Sequence, residues 1–441
     1  MLYLHIHIVY TVIMKNILIL SYDFKPLNTI SANRTNSWFQ YFNKYGLKPV
    51  VFTRKWNNKV ESPNDYLIEE NGEFSKEEFK EGIIYRASFK RSFIEKLNYY
   101  FSNNNFLIAR KILTFLSLIF TNLPYFNIEK TFYLKHIDKI IQNEKIDYII
   151  TSGEPFLLFK YASIISKKYK IPYILDYRDS WTSNPNNNDF LSKFLNNFNR
   201  FYEKKYLKNA SLFTTVSSII ETDIKNNIFN QNSALIENGY NKELYDSIIT
   251  EDYKQFTIIY TGSISDVQPI TPFLEGLEKF IKGNQKLKFK VIFVGILFRP
   301  NNNTNKIVSL RNKYPNIIEV IGKVSLQESI KFQKKSSVLL KFSLRSPIEG
   351  FYGGKLYEYY ACDKQILTIV SKKENAITDF FSKNKIQTFA YSKDTVAAKL
   401  DELYLDFNNK TIRFKKLTNL EKESFSRENI AKNLADKILN I

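Results

Sequence analysis

Apolar and polar positions alternate along the chain in blocks that predict strands and helices in turn. Short apolar runs bounded by turn residues predict buried strands. Longer stretches between them space their apolar residues as an amphipathic helix does, for example residues 31–45 before Gly46. The predicted strands are residues 17–21, 49–53, 148–152, 172–176, 212–216, 257–260, 290–294, 317–321, 337–342 and 365–370. Such alternation is typical of doubly wound parallel sheets in an α/β protein.

The alternation is interrupted once, by turn residues at Asn238-Gly239-Tyr240, and restarts near residue 257. We therefore predict a Rossmann-like domain over residues 14–240 and a second one over residues 241–420. A chain of 441 residues suits this division, because domains average about 150 residues.

The first 13 residues are apolar but lack the basic start of a signal peptide. They are also shorter than the roughly 20 residues that a membrane-spanning helix needs. Met14 follows them and leads directly into the first predicted strand. We interpret residues 1–13 as a non-native or disordered extension, with translation beginning at Met14.

Composition narrows the kinds of site that the chain can carry. Hydrophobic residues make up 44% and charged residues 24%, which is typical of a globular protein. Cys362 is the single cysteine, so neither an internal disulfide nor a cysteine zinc cluster can form. Three histidines argue against a histidine-rich metal site. A reducing, cytoplasmic compartment fits these counts.

The formal net charge of +20 has two explanations that the sequence leaves open. It can attract an anionic partner or membrane surface, or it can reflect a lysine-rich codon bias spread over solvated faces. No nucleic-acid-binding signature accompanies the charge, so nucleic acid is not an expected partner. Basic residues also flank the apolar run 112–120, which predicts either a helix at a membrane interface or a core-facing helix with solvated lysines. These basic residues are Lys90, Arg91, Lys96, Arg110 and Lys111.

The segment over residues 347–361 has the composition of a nucleotide-binding loop. Gly353 and Gly354 would let a ligand approach the backbone just before a short helix, where free amides favour phosphate oxygens. Lys355 adds a positive charge in the first turn, beside Leu356. One turn further, Glu358 could accept hydrogen bonds from a pair of ribose hydroxyls. An ordinary loop–helix turn with solvated charges is the alternative.

This segment resembles the nucleotide-sugar signature of family 4 glycosyltransferases, which have the GT-B fold. In that family a loop glutamate contacts the donor sugar, and a glutamate in the following helix contacts the ribose. Glu349 and Glu358 match those roles in order. Eight residues separate them here, one more than in the usual family pattern.

Further segments resemble the same family in the same order along the chain. Residues 171–181 are similar to a strand-end motif of members that build bacterial surface polysaccharides. The resemblance places Asp176, Arg178 and Asp179 at the cleft, positioning donor sugar or acceptor hydroxyls. With Glu349, we take Arg178 and Asp179 as the candidate catalytic residues.

The resemblance also assigns the start of the second domain to the donor diphosphate. Gly262 and Ser263 match a strand-end turn whose backbone amides meet that group. The basic residue that often follows in the family is missing, and Gln268 lies nearby. Lys355 is left to neutralise the phosphates. Arg299 and Lys323 are further candidates.

The resemblance implies two facing Rossmann-like domains with a central cleft, and a helix over residues 421–441 that packs back on the first domain. It implies transfer of a sugar from a nucleotide-diphosphate sugar to a glycan or lipid-linked glycan, with retention, in cell-surface polysaccharide biosynthesis. No cofactor and no metal are expected. The expected place is the cytoplasm, with contact at the inner membrane face left open. The alternatives are a sugar-nucleotide epimerase of the same fold and a non-catalytic basic protein that binds membrane or nucleic acid.

Overall fold

A computed structural model describes most of the chain from Met14 to Ile441. The residues within that range that it does not describe are 28, 57–64, 66–67, 71, 89–115, 117–133, 154, 183–189, 285, 299, 344–352 and 372–386. The predicted extension over residues 1–13 lies outside the described residues, as do the basic residues that flank the run 112–120.

The first half of the chain forms an eight-stranded sheet in the order β3-β4-β2-β1-β5-β6-β7-β8. Neighbouring strands are parallel except β3, which is antiparallel to β4. The strands are β1 (Lys15–Leu20), β2 (Leu47–Arg54), β3 (Ser75–Glu78), β4 (Ile83–Ala87), β5 (Tyr148–Gly153), β6 (Tyr173–Tyr177), β7 (Leu212–Thr215) and β8 (Ser233–Leu235). The helices are α1 (Ile30–Tyr41), α2 (Ile137–Glu144), α3 (Leu157–Tyr169), α4 (Phe190–Lys208) and α5 (Ser218–Asn227). The antiparallel strand was not predicted.

The second half forms a six-stranded, fully parallel sheet in the order β11-β10-β9-β12-β13-β14. Its strands are β9 (Phe256–Thr261), β10 (Phe289–Val294), β11 (Ile318–Ile321), β12 (Val338–Phe342), β13 (Gln365–Ile369) and β14 (Thr388–Ala390). Its helices are α6 (Lys242–Ser247), α7 (Ile270–Gly283), α8 (Asn302–Lys313), α9 (Leu326–Lys335), α10 (Gly354–Tyr360), α11 (Lys393–Asn408) and α12 (Asn419–Ser424), and α13 (Arg427–Leu439) follows them. The predicted alternation of strands and helices into parallel sheets is confirmed.

Each sheet is built outward from a central strand in both directions. The order reverses between β1 and β5 in the first sheet and between β9 and β12 in the second. In open α/β sheets, ligands bind in the crevice outside the carboxyl ends of the strands at this reversal. The topology therefore predicts a ligand site at the carboxyl ends of β9 and β12, or at those of β1 and β5.

The C-terminal helix α13 packs on the first sheet although it follows the second sheet in the chain. Ile430, Leu434 and Ile438 are buried in one cluster with Ile17 and Ile19 of β1. Most of the buried area of α13 thus belongs to the core of the first half, which stabilises both.

Two segments of backbone run side by side where the chain passes between the halves. The amide of Tyr240 donates to the carbonyl of Phe425 at 3.1 Å, and the amide of Arg427 donates to the carbonyl of Tyr240 at 2.9 Å. A Cβ on Gly239 would lie 2.7 Å from the Phe425 carbonyl oxygen. Only glycine allows so close an approach, which explains why the predicted turn contains it.

A buried ion pair joins α1 to the first sheet. The guanidinium of Arg34 donates to both carboxylate oxygens of Asp176, at 2.8 and 2.7 Å. Ser152 and Thr214, from the neighbouring strands, donate to the same carboxylate at 2.7 and 2.6 Å. The two charged side chains are 4% and 0% exposed. Bidentate geometry and hydrogen bonds to each carboxylate oxygen are the conditions under which a buried charge is tolerated.

Asp176→Asn keeps the size of this side chain but removes the charge that Arg34 requires. Breaking one partner of a buried ion pair leaves the other charge uncompensated, so the free energy of unfolding should fall by about 3–5 kcal/mol. Urea denaturation followed by circular dichroism measures this loss.

The matched control is Asp138→Asn, which breaks the exposed pair between Lys168 and Asp138 at 2.8 Å. Exposed pairs contribute little because water and salt screen them. Equal losses of stability in the two variants would contradict a structural role for the buried pair.

Candidate functional site

A glycine turn follows the carboxyl end of β9. Gly262 has φ +100, a conformation that favours glycine. A Cβ there would lie 2.7 Å from Cε and Nζ of Lys355. Ser263 follows and is exposed, and its carbonyl accepts a hydrogen bond from Tyr260 Oη at 2.8 Å. The predicted turn therefore lies directly beside the predicted lysine.

Lys355 reaches back from α10 over the end of β9. Its ammonium donates to Tyr260 Oη at 2.9 Å and lies 4.3 Å from the centroid of that ring. Gly353 has φ 62 just before the helix, and Gly354 is the first helical residue. The structure thus brings Gly262, Gly353, Gly354 and Lys355 together at the strand reversal of the second sheet.

Glu358 lies one turn further along α10 and is partly buried. Burial raises the pKa of its carboxyl group, and the positive charges of Arg427 and Lys355 act in the opposite direction. Among the residues that the structure describes, none donates a hydrogen bond to this carboxylate. A carboxylate that is withdrawn from water and unsatisfied can accept hydrogen bonds from a ligand.

Glu358 opens on a cleft between the two halves of the chain. The cleft is lined by Asn33, Arg34, Ser37, Trp38, Glu237, Asn238, Gly239, Gly354, Glu358, Arg427 and Ile430. Arg427 belongs to α13, and its Nε donates to the carbonyl of Gly239 at 3.2 Å. The Tyr357 hydroxyl donates to Glu237 at 3.2 Å, so α10 is tied to the segment that leaves the first sheet.

Gly354 and Glu358 are the described donor-site residues that line this cleft. The other described ones lie outside its lining, and they are Gly262, Ser263, Gly353, Lys355 and Leu356. Leu356 is 1% exposed and packs in a core cluster with Tyr359 and Ile259, which gives its side chain a packing role in place of a ligand contact. Glu349 lies outside the described residues, as does Arg299. Lys323 is exposed in the loop after β11.

The residues predicted at the end of β6 separate into two groups. Asp176 is fully buried in its pair with Arg34, so the expectation that it faces the cleft is wrong. Arg178 and Asp179 remain beyond the strand end, with 3.0 Å between Nε and Oδ2 and exposures of 13% and 37%.

A third charged group joins this second cluster from the loop after β1. Burial raises the pKa of Asp23, while a hydrogen bond from Ser31 and the charge of Arg178 lower it. Asp23, Arg178 and Asp179 therefore gather at the carboxyl edge of the first sheet, the edge at which open α/β sheets bind ligands.

Sequence reasoning missed the roles of Arg34 and Arg427. Their partners lie far away in the chain, at Asp176 and Gly239. No local spacing signals such contacts. The sequence predicted that the last helix packs on the first domain. That prediction gave no reason to single out Arg427, the first residue of the helix.

Among the described residues, no group of three or more His, Cys, Asp or Glu is arranged to hold a metal ion. Within the same residues, no helix has both the length and the apolar character to cross a membrane.

Solved structures of similar architecture match almost the whole chain. A sucrose-phosphate synthase from Thermosynechococcus elongatus matches at a TM-score of 0.63 and 13% identity, covering 97% of this chain and 98% of its own. A glycosyltransferase from Rickettsia africae matches at 0.64 and 15%, covering 96% and 97%. A putative UDP-N-acetylglucosamine 2-epimerase from Listeria monocytogenes matches at 0.51 and 10%, covering 97% and 96%. No protein-family model and no curated protein matches the chain.

These matches confirm the predicted fold, a GT-B arrangement of two Rossmann-like domains. Identities this low establish the shared architecture alone, because one fold hosts many activities. The function therefore has to be argued from the site.

Glu358→Gln should make the ligand-free protein more stable at about pH 8. The folded state holds the Glu358 proton more tightly than the unfolded state does, so ionisation costs stability as the pH rises above the ordinary value of 4.5. The variant cannot ionise, so its advantage should shrink as the pH falls towards 4.5. Thermal unfolding across this pH range measures the difference.

Glu275→Gln in α7 is the control, because Glu275 is exposed and its replacement should leave the pH dependence unchanged. A destabilised Glu358→Gln at alkaline pH would contradict the environment described for this carboxylate.

Proposed function

We propose that this chain is a glycosyltransferase that takes a sugar from a nucleoside-diphosphate sugar. The observation that carries the proposal is the grouping of Gly262, Lys355 and Glu358 at the strand reversal of the second sheet. A lysine ammonium beside a glycine turn suits a diphosphate. The partly buried carboxylate of Glu358, one helical turn away, suits the hydroxyls of a ribose.

The site residues divide the chemistry between leaving group and sugar. As the glycosidic bond breaks, negative charge builds on the departing diphosphate. Lys355 and the backbone after β9 stabilise that charge in a cleft partly shielded from water. Glu358 orients the nucleotide through its ribose. By resemblance, Glu349 contacts the donor sugar.

The acceptor binds on the opposite side of the cleft in this proposal. Arg178, Asp179 and Asp23 gather at the edge of the first sheet and can accept or donate hydrogen bonds to sugar hydroxyls. The similarity of residues 171–181 to enzymes of surface-polysaccharide synthesis suggests a glycan or lipid-linked glycan as acceptor. The family 4 resemblance adds retention of configuration, independence of metal ions and a cytoplasmic location. The +20 net charge would favour contact with an anionic membrane face.

A sugar-nucleotide epimerase is the second candidate, because a putative enzyme of that kind shares the fold. It would use the donor site without an acceptor. Product analysis separates the two functions: an epimerase converts the nucleotide sugar alone, whereas a transferase releases a nucleoside diphosphate and needs an acceptor to form a glycoside.

A thermal-shift screen against UDP-, GDP-, ADP- and dTDP-sugars tests the donor site. A ligand that binds only the folded state at about a hundred times its Kd adds roughly 2.7 kcal/mol to stability. We expect one nucleotide class to raise the unfolding temperature of the wild type. Glu358→Ala and Lys355→Met should abolish most of that shift.

Glu275→Ala provides the matched control, since it removes an exposed carboxylate of the same domain. It should respond to the nucleotide as the wild type does. A well-folded wild type that responds to no nucleotide sugar would overturn the proposed function.

A further inference from the structure

Lys341 is a buried lysine in the middle layer of the second sheet. It is the penultimate residue of β12, and its side chain is on the same face as Leu339, whose cluster includes Leu356 and Tyr359 of α10. β12 is paired with β9 at the strand reversal. Lys341 therefore lies near the carboxyl end of the sheet, beneath the helix that carries Lys355.

Among the described residues, no carboxylate acts on the ammonium of Lys341. The residue is 8% exposed, and among the described residues no hydrogen bond or ion pair satisfies its side chain. Burial, together with the smaller effect of the nearby charge of Lys355, lowers the pKa of Lys341 to about 8. A buried cation without a partner costs stability, so its presence requires a reason.

Lys341 lies within electrostatic range of a second lysine, Lys355. Lys355 is the charged group that acts on it, whereas the carboxylate of Glu358 is influenced by Arg427 and Lys355. Lys355 itself donates to the neutral hydroxyl of Tyr260. Two ammonium groups, one from β12 and one from α10, thus lie near the end of β9. An anion is the ligand that such a place accommodates.

We infer that Lys341 binds a phosphate oxygen of the donor diphosphate, as a second cation beside Lys355. The inference rests on the proposed function, because it assumes that the diphosphate occupies the end of β9. It also accounts for a departure in the sequence: the basic residue expected after Gly262 is missing, and β12 supplies a lysine from a neighbouring strand.

Replacing a lysine that binds a ligand affects binding and stability differently from replacing a lysine that stabilises the fold. If Lys341 is a binding residue, removing its charge weakens anion binding while the ligand-free protein becomes no less stable, because the buried cation is gone. If it is structural, its removal lowers stability and leaves binding intact.

The experiment compares Lys341→Met with the wild type by calorimetric titration, using inorganic pyrophosphate and then UDP, GDP, ADP and dTDP at constant ionic strength. Losing a charge-assisted hydrogen bond should weaken pyrophosphate binding by roughly tenfold or more. The unfolding temperature of the ligand-free variant should equal or exceed that of the wild type. Lys341→Arg, which keeps the charge, should retain part of the affinity.

Lys290→Met is the matched control. Lys290 lies on β10 of the same sheet near the amino end of the strand, away from the cleft. It should bind pyrophosphate as the wild type does. Unchanged binding by Lys341→Met, or a loss equal to that of Lys290→Met, would overturn the inference.

The two proposals fail in different ways. If a nucleoside diphosphate binds the wild type and Lys341→Met equally well, the donor site stands and the assignment of Lys341 falls. If pyrophosphate depends on Lys341 but no nucleotide binds more tightly than pyrophosphate, the anion site stands and the proposed function falls. If the wild type binds none of these ligands, both are wrong.

Discussion

The buried pair between Arg34 and Asp176 holds the first half of the molecule in register with the segment that leaves it. Besides its two bonds to Asp176, the Arg34 guanidinium donates to the carbonyls of Ile236 and Glu237 at 2.9 and 3.0 Å. One side chain thus fixes a helix, the central strands and the exit of the chain. Arg34 is also one of the residues that line the cleft, so the shape of the cleft depends on this buried pair.

Two charged groups near the strand reversal of the second sheet differ from this buried pair. Asp176 has a partner for each carboxylate oxygen, whereas Glu358 and Lys341 lack one among the described residues. Satisfied groups rigidify a fold, and unsatisfied ones lower its stability. The unsatisfied groups, Glu358 and Lys341, lie at the strand reversal of the second sheet. Ligands usually bind at this place in the architecture. The hydrogen-bonding of each charge therefore distinguishes the paired charges of the first sheet from the unpaired ones near the end of β9.

Local patterns in the sequence predicted most of the architecture. Buried apolar runs located the parallel strands, since such strands are covered on both faces. Gly262 and Lys355 could also be foreseen, because a glycine turn after a strand and a lysine at a helix start have local signatures. The helix predicted over residues 31–45 ends as α1 at Tyr41 and continues as a 3-10 turn over Phe42–Tyr45. Its last turn tightens before Gly46, a change that periodicity does not resolve.

What the sequence did not predict depends on contacts between distant residues. Arg34 and Asp176 are 142 positions apart, and only the folded topology makes them neighbours. Asp176 looked like a cleft residue because it ends a strand, but its side chain points to α1. Lys341 stands in an apolar run and looked like part of a core strand. Leu356 was chosen for its position in a motif, and its side chain turned out to belong to the core.

The packing of α13 on the first sheet has a consequence for the order in which the protein can form. The core around Ile17 and Ile19 is incomplete until Ile430, Leu434 and Ile438 are in place. During synthesis one apolar face of the first sheet therefore stays uncovered until the second sheet and then α13 have been made. The second sheet does not depend on a distant segment in this way, because its core clusters consist of residues between Tyr240 and Phe425. The second sheet is thus synthesised after the first but can complete its hydrophobic core before it.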